Sequence, residues 1–308
     1  MITVLAGGVG AARLLRGLVR VVDPAEVVVV ANTGDDLVLH GLHVSPDLDT
    51  ITYTLAGAGN PETGWGLAGE TWQAMASLDH YGGPTWFRLG DRDLGTHLFR
   101  TGRLADGAGL AEVTAEVAEA WGLGFRLLPA TEDRLRTMVT LADGDEVGFQ
   151  EYFVGLRHDV PVSGIRFDGA DDALPGPGVL EAITTAEAVV VAPSNPLVSI
   201  APILAVPGVR DAVAARRGSA VAVSPIVGGS ALKGPADRML AEMGHESSVV
   251  GVARLYRDLV ATLVIDRVDA DLADEVEAEG VRCVVTDTVM RTTDVAVALA
   301  KTAIEAVA

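Results

Sequence analysis

The chain's 308 residues, 49% of them hydrophobic, suffice for one large core or two modest ones. Forty-two acids against 23 bases give a formal charge of −19, which argues against a nucleic-acid surface; any phosphate ligand must find local help from backbone N–H groups, a few cations or a divalent metal ion. The single cysteine, Cys283, excludes an internal disulfide or a cysteine-built metal cluster and, inside "VRCVVT", reads as core packing.

Read from the N-terminus, a strand is expected at once, over residues 2–6, with no basic leader before it. Further β-branched runs lie at 27–31, 188–192, 220–224, 263–265 and 281–286. Such short, continuous apolar runs suit strands buried on both faces of a parallel sheet, and they are too short to span a bilayer. The spacing of "RLLRGLVRVV" and of "TDVAVALAKTAIEAVA" places helices after the first strand and at the C-terminal end. Strands alternating with helices give an α/β fold, a Rossmann-like, mostly parallel sheet with helices on both faces. The middle reads differently, with a helical stretch in "GLAEVTAEVAEAWG" and a hairpin around Asp143-Gly144-Asp145. The expected organisation is a nucleotide-binding core from 1–60 and 166–308, and a smaller α+β insertion over 61–165 that caps the sheet edge. A cytoplasmic protein with small-molecule partners, and neither nucleic acid nor membrane among them, is expected on these grounds.

In such a sheet ligands bind beyond the carboxyl ends of the strands. The first loop there is "LAGGVGAARLL", in which Gly7, Gly8 and Gly10 let the backbone turn and offer N–H groups to an anion. It reads equally as an ordinary tight turn, because Arg13 replaces the third glycine of a dinucleotide fingerprint and no P-loop lysine follows. The second loop holds four aspartates, Asp35, Asp36, Asp47 and Asp49, within fifteen residues. Acids beside a phosphate site make sense around a hard cation such as Mg2+; the plain alternative is that Asp35 and Asp36 cap the next helix. In the third, "APSNPLVSIAPIL", two prolines fix Ser194 and Asn195 at the ligand edge, or simply make a rigid turn. The fourth, "SPIVGGSALKGPAD", carries Gly229 and Lys233; one of two lysines in the chain, Lys233 reads as a phosphate contact or a surface cation. Arg88, Arg92 and His97 lie among aromatic residues in "PTWFRLGDRDLGTHLFR", either as a site for a planar anionic ligand or as a helix start salt-bridged through Asp91 and Asp93.

The ordered set "GGVGAARLLRGL", "NTGDD", "HGLHVSPDLDT", "GWGLAGETW", "LGDRDLGTHLFR", "APSNPLVSIAPIL" and "SPIVGGSALKGPAD" resembles the 2-phospho-L-lactate transferase family. The family's actinobacterial members are the phosphoenolpyruvate transferases of coenzyme F-420 biosynthesis. The likeness runs from Met1 to about Arg291, and Ala201 departs from the glycine the family places after "SNPxxSI". It implies that the terminal ribityl hydroxyl of the deazaflavin Fo attacks the phosphorus bearing a phosphoenolpyruvyl or phospholactyl group, and that GMP leaves a guanosine diphosphate ester donor. It implies Mg2+ on Asp35 with Asp36 adjacent, catalytic roles for Asp35 and Asp49, and acceptor contacts from Asp49 and Arg88. Asp47 and Thr50 of "SPDLDT" join the same substrate-binding set. Gly7, Gly8, Gly10, Ser194, Asn195, Gly229 and Lys233 become the donor's phosphate and nucleotide contacts. A homodimer follows from the same likeness, the arginine- and alanine-rich composition leans to the enolpyruvyl donor, and a chain ending at Ala308 is expected to carry no fused ligase domain. The rival class is a non-catalytic nucleotide-sugar-binding regulator similar to gluconeogenesis-factor proteins. "SPDLDT" and "LGDRD" favour the transferase, since a pure binder needs no second-substrate pocket. A dinucleotide oxidoreductase is disfavoured by the imperfect glycine fingerprint.

Overall fold

The computed structural model describes residues 1–307. β1 (Ile2–Ala6) leads through a glycine turn into α1 (Gly8–Leu18) and then β2 (Val27–Ala31). A hairpin, β3 (Leu37–Leu39) with β4 (Leu42–Val44), precedes α2 (Pro46–Leu55), α3 (Gln73–His80), α4 (Asp93–Ala105) and α5 (Leu110–Ala120). After β5 (Arg126–Pro129) come β6 (Arg136–Leu141), β7 (Glu146–Gly148), a π-turn at Glu151–Gly155 and β8 (Val162–Asp168). The remainder alternates: α6 (Val179–Thr184), β9 (Ala188–Val191), α7 (Ala201–Ala205), α8 (Val209–Ala215), β10 (Ala220–Val223), the hairpin β11 (Ile226–Val227) with β12 (Ser230–Ala231), α9 (Ala236–Glu242) and α10 (Val249–Tyr256). β13 (Thr262–Asp266), α11 (Ala273–Ala278), β14 (Arg282–Thr286) and α12 (Thr293–Glu305) close the chain.

Seven strands form one parallel sheet in the order β14-β13-β10-β9-β1-β2-β5. The six sequence runs rich in β-branched residues all fall in it; five are buried on both faces, as apolar segments with no polar side require, and β14 closes one edge half-exposed. Side chains alternate between those layers. From β1, Leu5 enters the core under α6, α7, α8 and α10, while Val4 and Ala6 enter the one under α1 and α12. Leu14, Leu15 and Leu18 of α1 are buried in that second core, each contributing about 1.5–3 kcal/mol. Gly17 lets α12 come close: a Cβ there would lie 2.1 Å from the Ala296 carbonyl oxygen.

The chain starts in the middle of the sheet, runs outward through β2 to β5, then returns beside β1 as β9 and runs outward the other way. The loops leaving β1 and β9 therefore diverge and open a crevice between them, as strand-order reversal dictates. The expectation of a single insertion over 61–165 needs correction. β5 lies inside that span yet pairs with β2 in the main sheet, Val29 opposite Leu127, and β8 continues to Asp168. Two excursions replace it. The first, β3 to α5, packs on the α1/α12 face through Leu48, Ile51 and Leu110. The second is a three-stranded antiparallel sheet, β7-β6-β8, on the opposite face, with Val139, Tyr152, Val198 and Met239 in its core. Among the described residues no single helix is long and apolar enough to cross a membrane.

Candidate active site

The crevice widens into a cleft of about 610 Å³, walled by the loops after β1, β2, β9 and β10 and by both excursions. Its floor is the glycine turn. Gly8 has φ +70°, a conformation that penalises other residues, and a Cβ on Gly10 would meet the Pro193 carbonyl oxygen at 2.2 Å. These glycines thus serve the close approach of two loops. Ser194 Oγ donates to the Gly7 carbonyl at 2.7 Å and accepts from the Gly7 N–H at 3.3 Å, clamping the β1 and β9 exits together. The Gly8 N–H donates to Asp47 Oδ1 at 2.8 Å, so the chain's own carboxylate already occupies one donor expected for phosphate. The next N–H groups of α1, from Val9 onward, have no helical acceptor and face the cleft from its first turn.

The four aspartates divide. Asp35 and Asp36 follow β2 in a turn that leads into β3 rather than a helix, so neither is a helix cap. Asp35 lines the cleft at 6% exposure, and its Oδ1 has no hydrogen-bond partner among the described residues. Burial, and then the nearby charges of Asp47 and Asp36, push its pKa well above the usual carboxylate range. Asp36 is absent from the cleft lining; its Oδ2 accepts from Ser45 Oγ at 2.7 Å and lies 3.2 Å from His43 Nε2. The expected Asp35–Asp36 pair is therefore split by the hairpin, which draws Asp36 behind the wall. Asp47 and Asp49 sit in the first turn of α2. Asp47 accepts from Gly8 and, at 3.0 Å, from Asn32 Nδ2, yet burial still raises its pKa to about 6. Asp49 is held by both guanidinium nitrogens of Arg100 (Nη1 at 3.1 Å) from α4, a buried bidentate pair. Burial alone would lower the Arg100 pKa; Asp49 overrides it and holds the charge. His97, 3.8 Å from Asp49 and 3.3 Å from Asp93, and Tyr53, which donates to Asp93 at 2.6 Å, complete this wall.

Arg88, in the same wall, lies with its guanidinium 4.2 Å from the Trp72 ring centroid. No acid pairs with it among the described residues; Asp91 instead accepts the Gln73 and Ala74 N–H groups at the start of α3, so the salt-bridged alternative falls for Arg88 and survives only in the His97–Asp93 contact at the start of α4. Lys233 donates to the Thr63 carbonyl at 3.0 Å, and burial together with Arg13 lowers its pKa. Asn195 lines the cleft but spends its Oδ1 capping the Leu197 N–H. Gly229 does not line the cleft. It and Gly228, with φ +77° and +59°, form the two-residue turn of the β11–β12 hairpin, which is why that position carries glycine. The structure thus gathers Gly7, Gly8, Gly10, Asp35, Asp47, Asp49, Thr50, Arg88, Ser194, Asn195 and Lys233 around one cleft, and leaves out Asp36 and Gly229. Sequence reasoning missed Arg13, Arg100, Arg157 and the Phe149–Phe153 pair. The i,i+4 spacing of those phenylalanines was the available signal.

A parallel sheet with a strand-order reversal, and a cleft there that sets Lys233, Arg13 and helix N–H groups beside an unpartnered buried carboxyl, defines a Rossmann-like protein that handles phosphate esters. The chain matches the 2-phospho-L-lactate transferase CofD family over residues 2–303. A phosphoenolpyruvate transferase of Streptomyces griseus is 48% identical over 99% of this chain and 97% of its own. One of Mycolicibacterium smegmatis is 42% identical over 91% and 90%. A solved UPF0052 family member from Bacillus halodurans shares the fold, with a TM-score of 0.62 at 18% identity over 97% of each chain. The chain belongs to the 2-phospho-L-lactate transferase family; it is an enzyme, a transferase, as its motifs imply.

Proposed function

We propose that this enzyme moves a phosphoenolpyruvyl group from a guanosine diphosphate ester to the terminal ribityl hydroxyl of Fo in coenzyme F-420 biosynthesis. The names of its relatives in Streptomyces and Mycolicibacterium support the enolpyruvyl over the lactyl donor. A bond forms from the acceptor oxygen to the substituted phosphorus, the phosphoanhydride bond breaks with its electron pair leaving on GMP, and the hydroxyl proton passes to water in the open cleft. Such transfer asks a protein for position and charge rather than covalent chemistry. The Val9 and Gly10 N–H groups of the first turn of α1, Arg13 and Lys233 face the donor phosphates. Arg88 and the α2 wall receive Fo. Asp49, with both oxygens engaged by Arg100, orients that wall and is not free to take the proton.

The residues fit a divalent cation. Asp35 presents a buried oxygen with no partner, and Asp47 beside it is driven toward its neutral form; both are relieved by positive charge. Mg2+ takes one or two carboxylates and completes its shell from phosphate and water, so Asp35 and Asp47 would suffice as its protein ligands. Bound there, Mg2+ would neutralise the donor phosphates against Asp35 and Asp47. A homodimer in the cytoplasm is inferred from the family alone.

The observation that carries the reading is Asp35, a buried carboxyl with one unpartnered oxygen in the cleft at the strand-order switch point, with a separate wall of α2, Arg88 and Arg100 opposite. The wall also argues against a pure nucleotide-binding regulator. Incubation with Fo, Mg2+ and the guanylated donor, read as GMP release and product mass, tests it; nucleotide binding without turnover would overturn it.

A further inference from the structure

Of the four aspartates, Asp36 is the one the chemistry leaves unused. It follows Asp35 directly, yet the turn after β2 sends the two carboxylates opposite ways, Asp35 into the cleft and Asp36 behind its wall. Asp36 Oδ2 accepts from Ser45 Oγ at 2.7 Å and lies 3.2 Å from His43 Nε2. The Asp36 N–H donates to the Thr33 carbonyl at 3.2 Å, which fixes its backbone in the turn that presents Asp35. Ser45 stands at the N-cap of α2, where a serine hydroxyl ordinarily accepts from the second or third N–H of the helix. Here it makes no such bond and is spent on Asp36. An unmade cap costs about 0.5–2 kcal/mol, which the link to Asp36 has to offset.

The elements joined there carry both halves of the reaction. Ser45 leads into α2, and its carbonyl accepts the Asp49 N–H at 3.0 Å. His43 belongs to β4; its N–H donates to Thr101 Oγ1 of α4 at 2.8 Å, and its carbonyl accepts from Arg100 Nη1 at 3.4 Å. Arg100 in turn grips Asp49. One carboxylate thus ties the turn that presents Asp35 to α2 and β4 and, through β4, to α4. Transfer at phosphorus depends on where the attacking hydroxyl stands relative to the phosphorus and its cation. We propose that Asp36 is a positioning residue, which sets the acceptor wall in register with the Asp35 turn and holds no cation itself. This rests on the transferase reading above.

The test compares Asp36→Ala, Asp36→Asn, Ser45→Ala and the double variant Asp36→Ala with Ser45→Ala against the wild type and Asp35→Asn. Two quantities are measured: steady-state kinetics with Fo, Mg2+ and the guanylated donor, and binding of Mn2+ in the presence of GDP, followed by electron paramagnetic resonance. Asp36→Ala should lower kcat and raise the KM for Fo, each on the order of tenfold, with the KM for the donor and the Mn2+ affinity within about twofold of wild type. Ser45→Ala should do the same, and the double variant should be no worse than either single one. Asp36→Asn, whose amide oxygen still accepts from Ser45, should recover most of the loss. A residue that only stabilised the fold would lower the thermal midpoint and leave kcat and KM in place below the transition. If Asp36→Ala does not fold, Ser45→Ala carries the same comparison. Mn2+ affinity lost in Asp36→Asn as far as in Asp35→Asn makes Asp36 a ligand and overturns the assignment. Additive losses in the double variant, or wild-type kinetics in Ser45→Ala, overturn it too. A wild type that never turns over Fo overturns the transferase reading itself, a failure separate from any difference among the variants.

Discussion

Asp35 and Asp49 face the same cleft, but their partners give them different tasks. Asp35→Asn removes a carboxyl that only a bound cation would keep charged and should lower kcat by about two orders of magnitude or more, with a thermal midpoint at or above wild type because a poorly solvated carboxyl is gone. Turnover near wild type at saturating Mg2+ would sink the metal assignment. Asp49 is different. Arg100→Met leaves it buried and unpaired, which should cost about 3–5 kcal/mol in urea unfolding, whereas Asp49→Asn with Arg100→Met should recover most of that. Equal losses in the single and double variants would mean that the pair is not coupled. Arg88→Ala should raise the KM for Fo and spare that for the donor, since its guanidinium lies on the α3–α4 wall. The aspartates were legible in the sequence because four acids in a strand-end loop break the expected pattern. Arg100 was not, for its partner is 51 residues away and only the docking of α4 on α2 brings them together.

At the scale of elements, β1, β2, β9, β10 and β13 were legible because burial on both faces leaves a continuous apolar run, and β14, half-exposed at the sheet edge, by its Cys-Val-Val core. β5 was not: "RLLP" begins with arginine, ends with proline and has no β-branched residue. The β3–β4 hairpin hid behind an unusual turn, His40-Gly41, in which histidine takes the left-handed position that asparagine usually fills. That hairpin decided the fate of Asp36. The glycine turn carries a prediction at this scale. Gly10→Ala should push α1 away from the Pro193 carbonyl, costing about 1–3 kcal/mol and weakening donor binding more than Fo binding. Unchanged stability would show that the loops have slack.

Over the whole molecule, 42 acids against 23 bases make cation and pH dependence a global property. The Asp47 carboxyl, displaced from 3.8 to about 6, binds its proton more tightly folded than unfolded. Its contribution is therefore full below about pH 4 and is lost as pH rises to about 6, about 3 kcal/mol in all. Asp47→Asn should flatten the fall in thermal midpoint across that window, and Mg2+ should raise the wild-type midpoint more at pH 7.5 than at pH 5. An identical Mg2+ effect at both values would detach the cation from these carboxyls. The placement of β1 has one more consequence. β1 is flanked in the finished sheet by β2 and by β9, and its helix α1 is covered by α12, nearly three hundred residues further along. Synthesis must therefore pass Thr293–Glu305 before the centre of the molecule can close, and until then Ile2–Ala6 and the inner side of α1 stay exposed to chaperones and proteases. Nascent chains stalled before Thr293 should be cleaved within α1 at protease levels that leave the full-length enzyme whole.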